Sequence, residues 1–293
     1  MSKNSIKHIK AYEVLDSRGN PTVAAEVTLS NDMRSMAFVP SGASTGKYEA
    51  IEKRDIDNSR YFGKGVLEAV DTINTDINLI LQGKDPSAIK EIDNLLIESD
   101  GTTNKSNFGA NAILGVSMAC SKVAAQMQNM ELYDFIHLKA KEDFDCNTTQ
   151  KLPVPMMNIL NGGAHADNLI DFQEFMIQPR GFESFSDSLR SGVEIFQTLK
   201  GILKDKNLST AVGDEGGFAP NLDSPKVALD LIMQSIEKSG YMPGEQVFLC
   251  LDVAATEFYK DSIYNMKGMN QEFTSDDMVS YLKDLRSNYP ISS

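Results

Sequence analysis

The sequence has 293 residues, 41 acidic and 28 basic, for a net charge of −13 at neutral pH. Its length allows one large domain or two ordinary ones, and a hydrophobic share of 41% with a charged share of 24% excludes wholesale disorder. The acidic balance excludes non-specific nucleic-acid binding and adhesion to an anionic membrane, which both need a basic surface; it leaves open a small anionic substrate, because a bound metal inverts local charge.

The N-terminus, MSKNSIKHIKAYEVLDSRG, carries lysines but no apolar core, so no secretory signal is expected. No apolar run reaches the length of a membrane-spanning helix. Cys120, Cys146 and Cys250 are far apart and odd in number. They fit reduced thiols, and the expected location is the cytoplasm.

Residues 6–40 read as three strands, IKHIKAYEVL, TVAAEVTL and MRSMAFV, broken by turns at 17–21 and 30–32. Helical spacing follows over 66–81, over 87–99 after Asp85-Pro86, and over 111–126, a run rich in small residues and apolar on nearly every side. Strands followed by helices predict an α+β domain over residues 1–140, with the polar stretch Lys141 to Gln150 as a linker at the start of the second domain, 141–293. Beyond it, short strands are expected at 152–160, 171–177, 210–215 and 247–255, with amphipathic helices at about 186–204 and 224–239. A last helix near 276–287 follows Thr274-Ser275-Asp276-Asp277, which has capping-box spacing. Strands alternating with helices predict a parallel, helix-covered α/β sheet, most simply part of a TIM-type barrel.

Three of these strands carry acids placed near their C-terminal ends: Glu174 in DFQEFMI, Asp214 and Glu215 in TAVGDE, Asp252 in VFLCLD. In a parallel barrel those ends converge on the catalytic face. Clustered carboxylates repel unless a proton or a cation intervenes, and oxygen ligands favour Mg²⁺. Any one of these acids alone would serve as a cap for a loop or helix; the set, with glycines beside Glu215, points to chemistry. The loop Asn161-Gly162-Gly163-Ala164-His165 presents a histidine where backbone can approach a ligand closely. A lone histidine is more often structural, and this loop context shifts the reading towards function. Ser41-Gly42-Ala43-Ser44-Thr45-Gly46-Lys47 has the flavour of a phosphate loop but fails on spacing and on Tyr48, which stands where Ser or Thr is required. A mobile loop with hydroxyls and an ordinary turn both remain open there. The 14 methionines need no role beyond packing.

The segments DSRGNPT (16–22), SGASTG (41–46), GANAILGVS (109–117), LPVPMMNILNGGAHA (152–166), QEFMI (173–177), GDEGGFAP (213–220) and LDVAATEF (251–258) together resemble enolase, phosphopyruvate hydratase, in its bacterial form. The resemblance runs over essentially the whole chain, in order. It implies an enolase N-terminal α+β domain followed by an enolase-like barrel, and a Mg²⁺-dependent lyase of glycolysis and gluconeogenesis that interconverts 2-phosphoglycerate and phosphoenolpyruvate. On the matching positions it implies that Glu215 is the acid assisting departure of the 3-hydroxyl, with Glu174 as its partner carboxylate. His165 and Gln173 would contact substrate, and Asp252 and Ser44 would hold Mg²⁺. Such sites use a Lys or His base with one or two Mg²⁺ ions. The resemblance also implies a homo-oligomer, a cytoplasmic location with family members found at the cell surface or secreted without a signal peptide, and no nucleic-acid or membrane partner.

The same resemblance calls for a lysine base, two more acidic metal ligands, an Arg-Ser pair for phosphate and a second substrate-binding lysine after the last residues, Asn288 to Ser293. The expectation is therefore a C-terminally truncated enolase with about half of its barrel strands and with impaired activity. The alternative is a non-catalytic remnant that acts as a binding or surface protein, or a pseudogene product.

Overall fold

A computed structural model describes residues 4–42 and 45–293, which divide into two units, one of residues 4–42 and 48–150 and the other of residues 45–47 and 151–293. In the first unit, β1 (Ile6–Leu15), β2 (Pro21–Leu29) and β3 (Arg34–Phe38) form an antiparallel meander in the order β1-β2-β3. Ile6, Ile9 and Ala11 of β1 are buried while Lys7, His8 and Lys10 are exposed. The central β2 is buried along nearly its whole length. That difference follows from position, because only the middle strand has neighbours on both edges. Asp16 Oδ1 ties the first turn by accepting from the amides of Arg18 and Asn20. Asn31 Oδ1 accepts from the Met33 amide in the second.

The small residues of α4 (Ala110–Met127) let this helix lie against β2 and β3. A Cβ on Gly115 would stand 3.0 Å from Val39 Cγ2 and 3.4 Å from the Ala25 Cβ, so glycine sets the distance between helix and sheet. Ala112, Val116, Ala119, Cys120 and Val123 complete the buried face. The helix expected over 66–81 is instead α1 (Leu67–Thr72), a π-helical turn (Ile73–Ile77) and α2 (Asn78–Leu81). The side-chain oxygens of Asn74 and Asn78 accept from the backbone amides of Ala11 and Ile9 at 2.8 and 2.7 Å. The outer edge of β1 is thereby satisfied by side chains rather than left open to another strand. After α3 (Ile89–Asp100) and α4 comes α5 (Leu132–Phe144), a helix that the sequence pattern does not announce, anchored by the buried Phe135.

The second unit is built on β4 (Met157–Asn161), β5 (Glu174–Pro179) and β6 (Val247–Asp252), in the order β4-β5-β6. Both pairings are antiparallel, which corrects the expectation of an all-parallel sheet. The cause lies in the connection. Only the loop 162–173 joins β4 to β5, with one short turn of 3-10 helix, whereas a parallel return needs a crossover, usually a helix. The β5 to β6 connection contains α6 (Phe185–Asp205) and α7 (Pro225–Lys238), so length alone does not fix its sense. Phe218 bridges β4 in parallel on one edge, and Ile291 bridges β6 in parallel on the other. The stretch 210–215 is not a strand; Val212 makes a single antiparallel bridge to Phe218 across the turn.

Ile195, Leu199, Ile202 and Leu203 of α6 and Ala228, Leu229, Ile232 and Ile236 of α7 join the buried sheet residues in one core. Phe196 stacks on Phe218 with ring centroids 4.2 Å apart. Each buried aliphatic side chain contributes about 1.5–3 kcal/mol relative to exposure. Ser184 and Ser224 cap α6 and α7 by accepting from the amides of Asp187 and Val227, and Pro225 opens α7. A small antiparallel sheet follows, β7 (Tyr259–Lys260), β8 (Ile263–Met266) and β9 (Gln271–Phe273), and then α8 (Ser275–Asn288) with its complete Thr274/Asp277 capping box. Among the described residues the sheet is open, a mixed α/β arrangement that fits an incomplete barrel. None of the described helices is long and apolar enough to cross a membrane.

Candidate active site

The antiparallel sense of β5 decides where the acids meet. Glu174 stands at the start of its strand, not near the C-terminal end where the sequence pattern put it. Because β5 runs against its neighbours, that start lies beside the ends of β4 and β6, with Glu174 opposite both Asn161 and Asp252. Directly opposed residues on antiparallel strands place their side chains on one face. A parallel β5 would have carried Glu174 to the far end of the sheet.

His165 closes a one-turn helix (Gly163–His165) entered through Gly162 and Gly163. A Cβ on Gly162 would lie 2.5 Å from the Phe172 oxygen and 2.7 Å from the Ile170 Cβ, so only glycine fits there. Gly163 adopts a φ of +53°. The imidazole is buried, and its Nδ1 stands 3.2 Å from Glu174 Oε1. Gln173 is also buried. Its backbone amide donates to the Asp252 carbonyl at 3.1 Å, and its Nε2 donates to Asp252 Oδ2 at 3.3 Å.

Glu215 sits on a turn closed by the Gly213 amide donating to the Gly217 oxygen at 2.8 Å, and held to the histidine loop by the Asp214 amide donating to the His165 oxygen at 3.1 Å. Ligand-type atoms of His165, Glu174 and Glu215 all fall within 4.8 Å of one another. Asp252 is outside that group. Its Oδ1 accepts from the Ala254 amide and its Oδ2 from Gln173, so it is a single, already engaged carboxylate. Its oxygen donors suit Mg²⁺, which accepts one or two carboxylates and keeps several waters. Ser44, the other expected Mg²⁺ ligand, lies outside the described residues.

Burial raises the carboxyl of Glu174 above its ordinary value of 4.5. The Asp252 charge and, more weakly, that of Glu215 push in the same direction, while His165 opposes them. A carboxyl held back from ionising beside a second acid and an imidazole is suited to moving protons. Sequence reasoning left out Asn161, which is fully buried at the head of the glycine loop with both side-chain polar atoms unpaired. The available signal was its place as the last strand residue before Gly162-Gly163. Of the three thiols, Cys120 is fully buried and burial pushes it far above the usual thiol range; all three are free.

An α+β unit, followed by an open barrel-type sheet with paired acids and a histidine at one end, is the class of protein that fold and site define. Residues 6–136 match the family model described as enolase, N-terminal domain, and residues 149–293 match enolase, C-terminal TIM barrel domain. The chain belongs to the enolase family, a family of lyases.

Proposed function

We propose that this chain carries the acid side of an enolase site for 2-phosphoglycerate and phosphoenolpyruvate, within glycolysis and gluconeogenesis in the cytoplasm, in a homo-oligomer. The single observation behind this reading is the convergence of His165, Glu174 and Glu215 within 4.8 Å in a chain of this family. Glu215 would protonate the departing hydroxyl, with Glu174 as its partner carboxylate, and His165 and Gln173 would bind substrate. Asp252 and Ser44 would hold Mg²⁺, which supplies fixed positive charge beside the substrate's developing negative charge. The Asp214 amide, donating to the His165 oxygen, fixes the turn that carries Glu215.

The resemblance also calls for a lysine base and two further acidic ligands, with which this acid side would act. A general base contributes about 10²–10⁴-fold, and a metal-ligand set adds electrostatic stabilisation that is coupled to it. The test adds 2-phosphoglycerate with excess Mg²⁺ to the purified chain and follows both the His165 ring resonances and phosphoenolpyruvate. Shifts at His165 support the reading, as does product formation that Glu215→Gln abolishes. Unmoved resonances without product would refute it.

A further inference from the structure

A cavity of about 560 Å³ lies between the loop 162–173 and the segment 257–267. That is the size of a small-molecule site, about 300–1,000 Å³. His165, Glu174, Glu215 and Asp252 are not among its walls, and it meets the histidine loop only at Gly163 and Ala164. Both sides of the cavity are fixed in place. Asp171 Oδ1 accepts from the Lys267 amide at 2.9 Å, and its Oδ2 accepts from the Gly268 amide at 3.2 Å. A Cβ on Gly268 would collide with the Leu169 oxygen, so the two segments meet backbone to backbone. The aromatic wall is braced as well. The Tyr259 ring stands 4.5 Å from that of Tyr264, and Phe258 lies 6.0 Å from Tyr264 and 6.3 Å from the fully buried Phe172. Tyr259 is nevertheless 42% exposed, which leaves a rigid ring face open to a ligand. A site formed in advance loses little freedom when it binds.

The charges that line the cavity stand side by side. Burial raises the Asp171 carboxyl above its ordinary value of 3.8, although the two amides and the Lys267 charge act against it. The carboxylate is therefore under-compensated, and each of its oxygens keeps a further acceptor position for a cationic donor. Lys267 and Lys260 are exposed at the rim, where they can meet an anion. An α-amino acid carries its ammonium and its carboxylate on one carbon, and an aromatic side chain sets a ring next to both. We propose that this cavity binds a free aromatic amino acid, with its ammonium on Asp171, its carboxylate on Lys267 and Lys260, and its ring against Tyr259 and Phe258. Offset or edge-to-face contact between rings favours an aromatic over an aliphatic side chain there. The proposal goes beyond the reading of the acids at the sheet end and holds whether or not the chain turns over an enolase substrate.

The test titrates the purified 293-residue chain with L-phenylalanine, with no 2-phosphoglycerate and no added metal, and follows heat together with the backbone amide resonances of Gly163, Lys267 and Gly268. We expect saturable binding that shifts these amides. Phenethylamine lacks the carboxylate and 3-phenylpropionate lacks the ammonium, so each should bind about tenfold more weakly, the effect of one lost charge-assisted hydrogen bond. L-alanine, which lacks the ring, should not bind in the same range. Asp171→Asn should weaken L-phenylalanine about tenfold and leave 3-phenylpropionate unchanged, a contrast that misfolding does not produce. Lys267→Gln alters an exposed side chain and keeps the test sound if the Asp171 variant misfolds; it should weaken L-phenylalanine and spare phenethylamine. Absence of saturation, shifts confined to other parts of the chain, L-alanine or phenethylamine binding as tightly as L-phenylalanine, or undiminished affinity in Lys267→Gln would overturn the proposal.

Discussion

Replacing Gly217 by alanine tests how the Glu215 turn is seated. The new methyl carbon would land 2.7 Å from the Leu160 amide nitrogen and 2.9 Å from the Ile159 carbonyl carbon, and would also press on Asn161 Oδ1. Two of those three neighbours are backbone in β4, which has no rotamer with which to move away. Overpacking of this kind costs about 1–3 kcal/mol, and the rigid neighbours put Gly217→Ala at the upper end, about 3 kcal/mol. For a unit of this size that lowers the melting temperature by about 6–12 °C. Gly216 provides the comparison. It has a φ of +83° but nothing within 4 Å of a Cβ, so Gly216→Ala meets only the left-handed backbone cost of about 1–2 kcal/mol. The assay is thermal unfolding by circular dichroism, with hydrogen exchange at the Phe218 and Asn161 amides, which bond across this junction to the Ile159 and Phe218 oxygens. Equal or smaller damage from Gly217→Ala, or unchanged protection of Phe218, would refute the steric argument.

Glu174→Gln should stabilise the protein at neutral pH by about 0.5–2 kcal/mol, the usual yield of relieving a functional site. The native carboxyl is raised, so the folded state holds more protons than the unfolded state above pH 4.5, and wild-type stability falls as pH rises through that window. The gain from the variant should therefore vanish as pH drops below 4.5, and urea unfolding at a series of pH values checks the sign. Thr274→Ala removes the hydroxyl that accepts from the Asp277 amide at the start of α8, and should cost about 1 kcal/mol, measured as a lower urea midpoint without a change in slope.

Much of this architecture is legible in residue pattern. The alternation in Ile6 to Leu15 gives β1 its bounds, and Ser224-Pro225 and Thr274 to Asp277 announce two helix starts. Strand direction is harder to read. Runs such as Phe175-Met176-Ile177 are buried on both faces, so hydrophobicity carries no arrow, and only the helix-poor loop before Glu174 reveals the antiparallel sense. The π-helical turn was hidden because its cause is remote: Asn74 and Asn78 answer donors on β1, more than sixty positions away. The helix Leu132 to Phe144 runs into the polar stretch that begins at Lys141, and Phe135, packed beside Ala124 and Ala125, anchors it. At the site, His165 could be picked out from its glycine loop, and Glu174 and Glu215 from their places in expected strands. That Asp252 would stand apart from that trio, hydrogen-bonded to Gln173, depended on side-chain directions that no spacing encodes.

The reversed β5 also has a kinetic consequence. Asn161, His165, Gln173 and Glu174 all belong to a single hairpin-like connection, so half of the site is assembled by closing one short loop. Loop closure over about a dozen residues takes well under a microsecond, and its entropy cost is small. Asp252 reaches the same place only after α6 and α7 have been laid down between the strands. Contacts of such short sequence separation form faster than the long-range pairing of β5 with β6, so this side of the site adds little to the contact order of the fold.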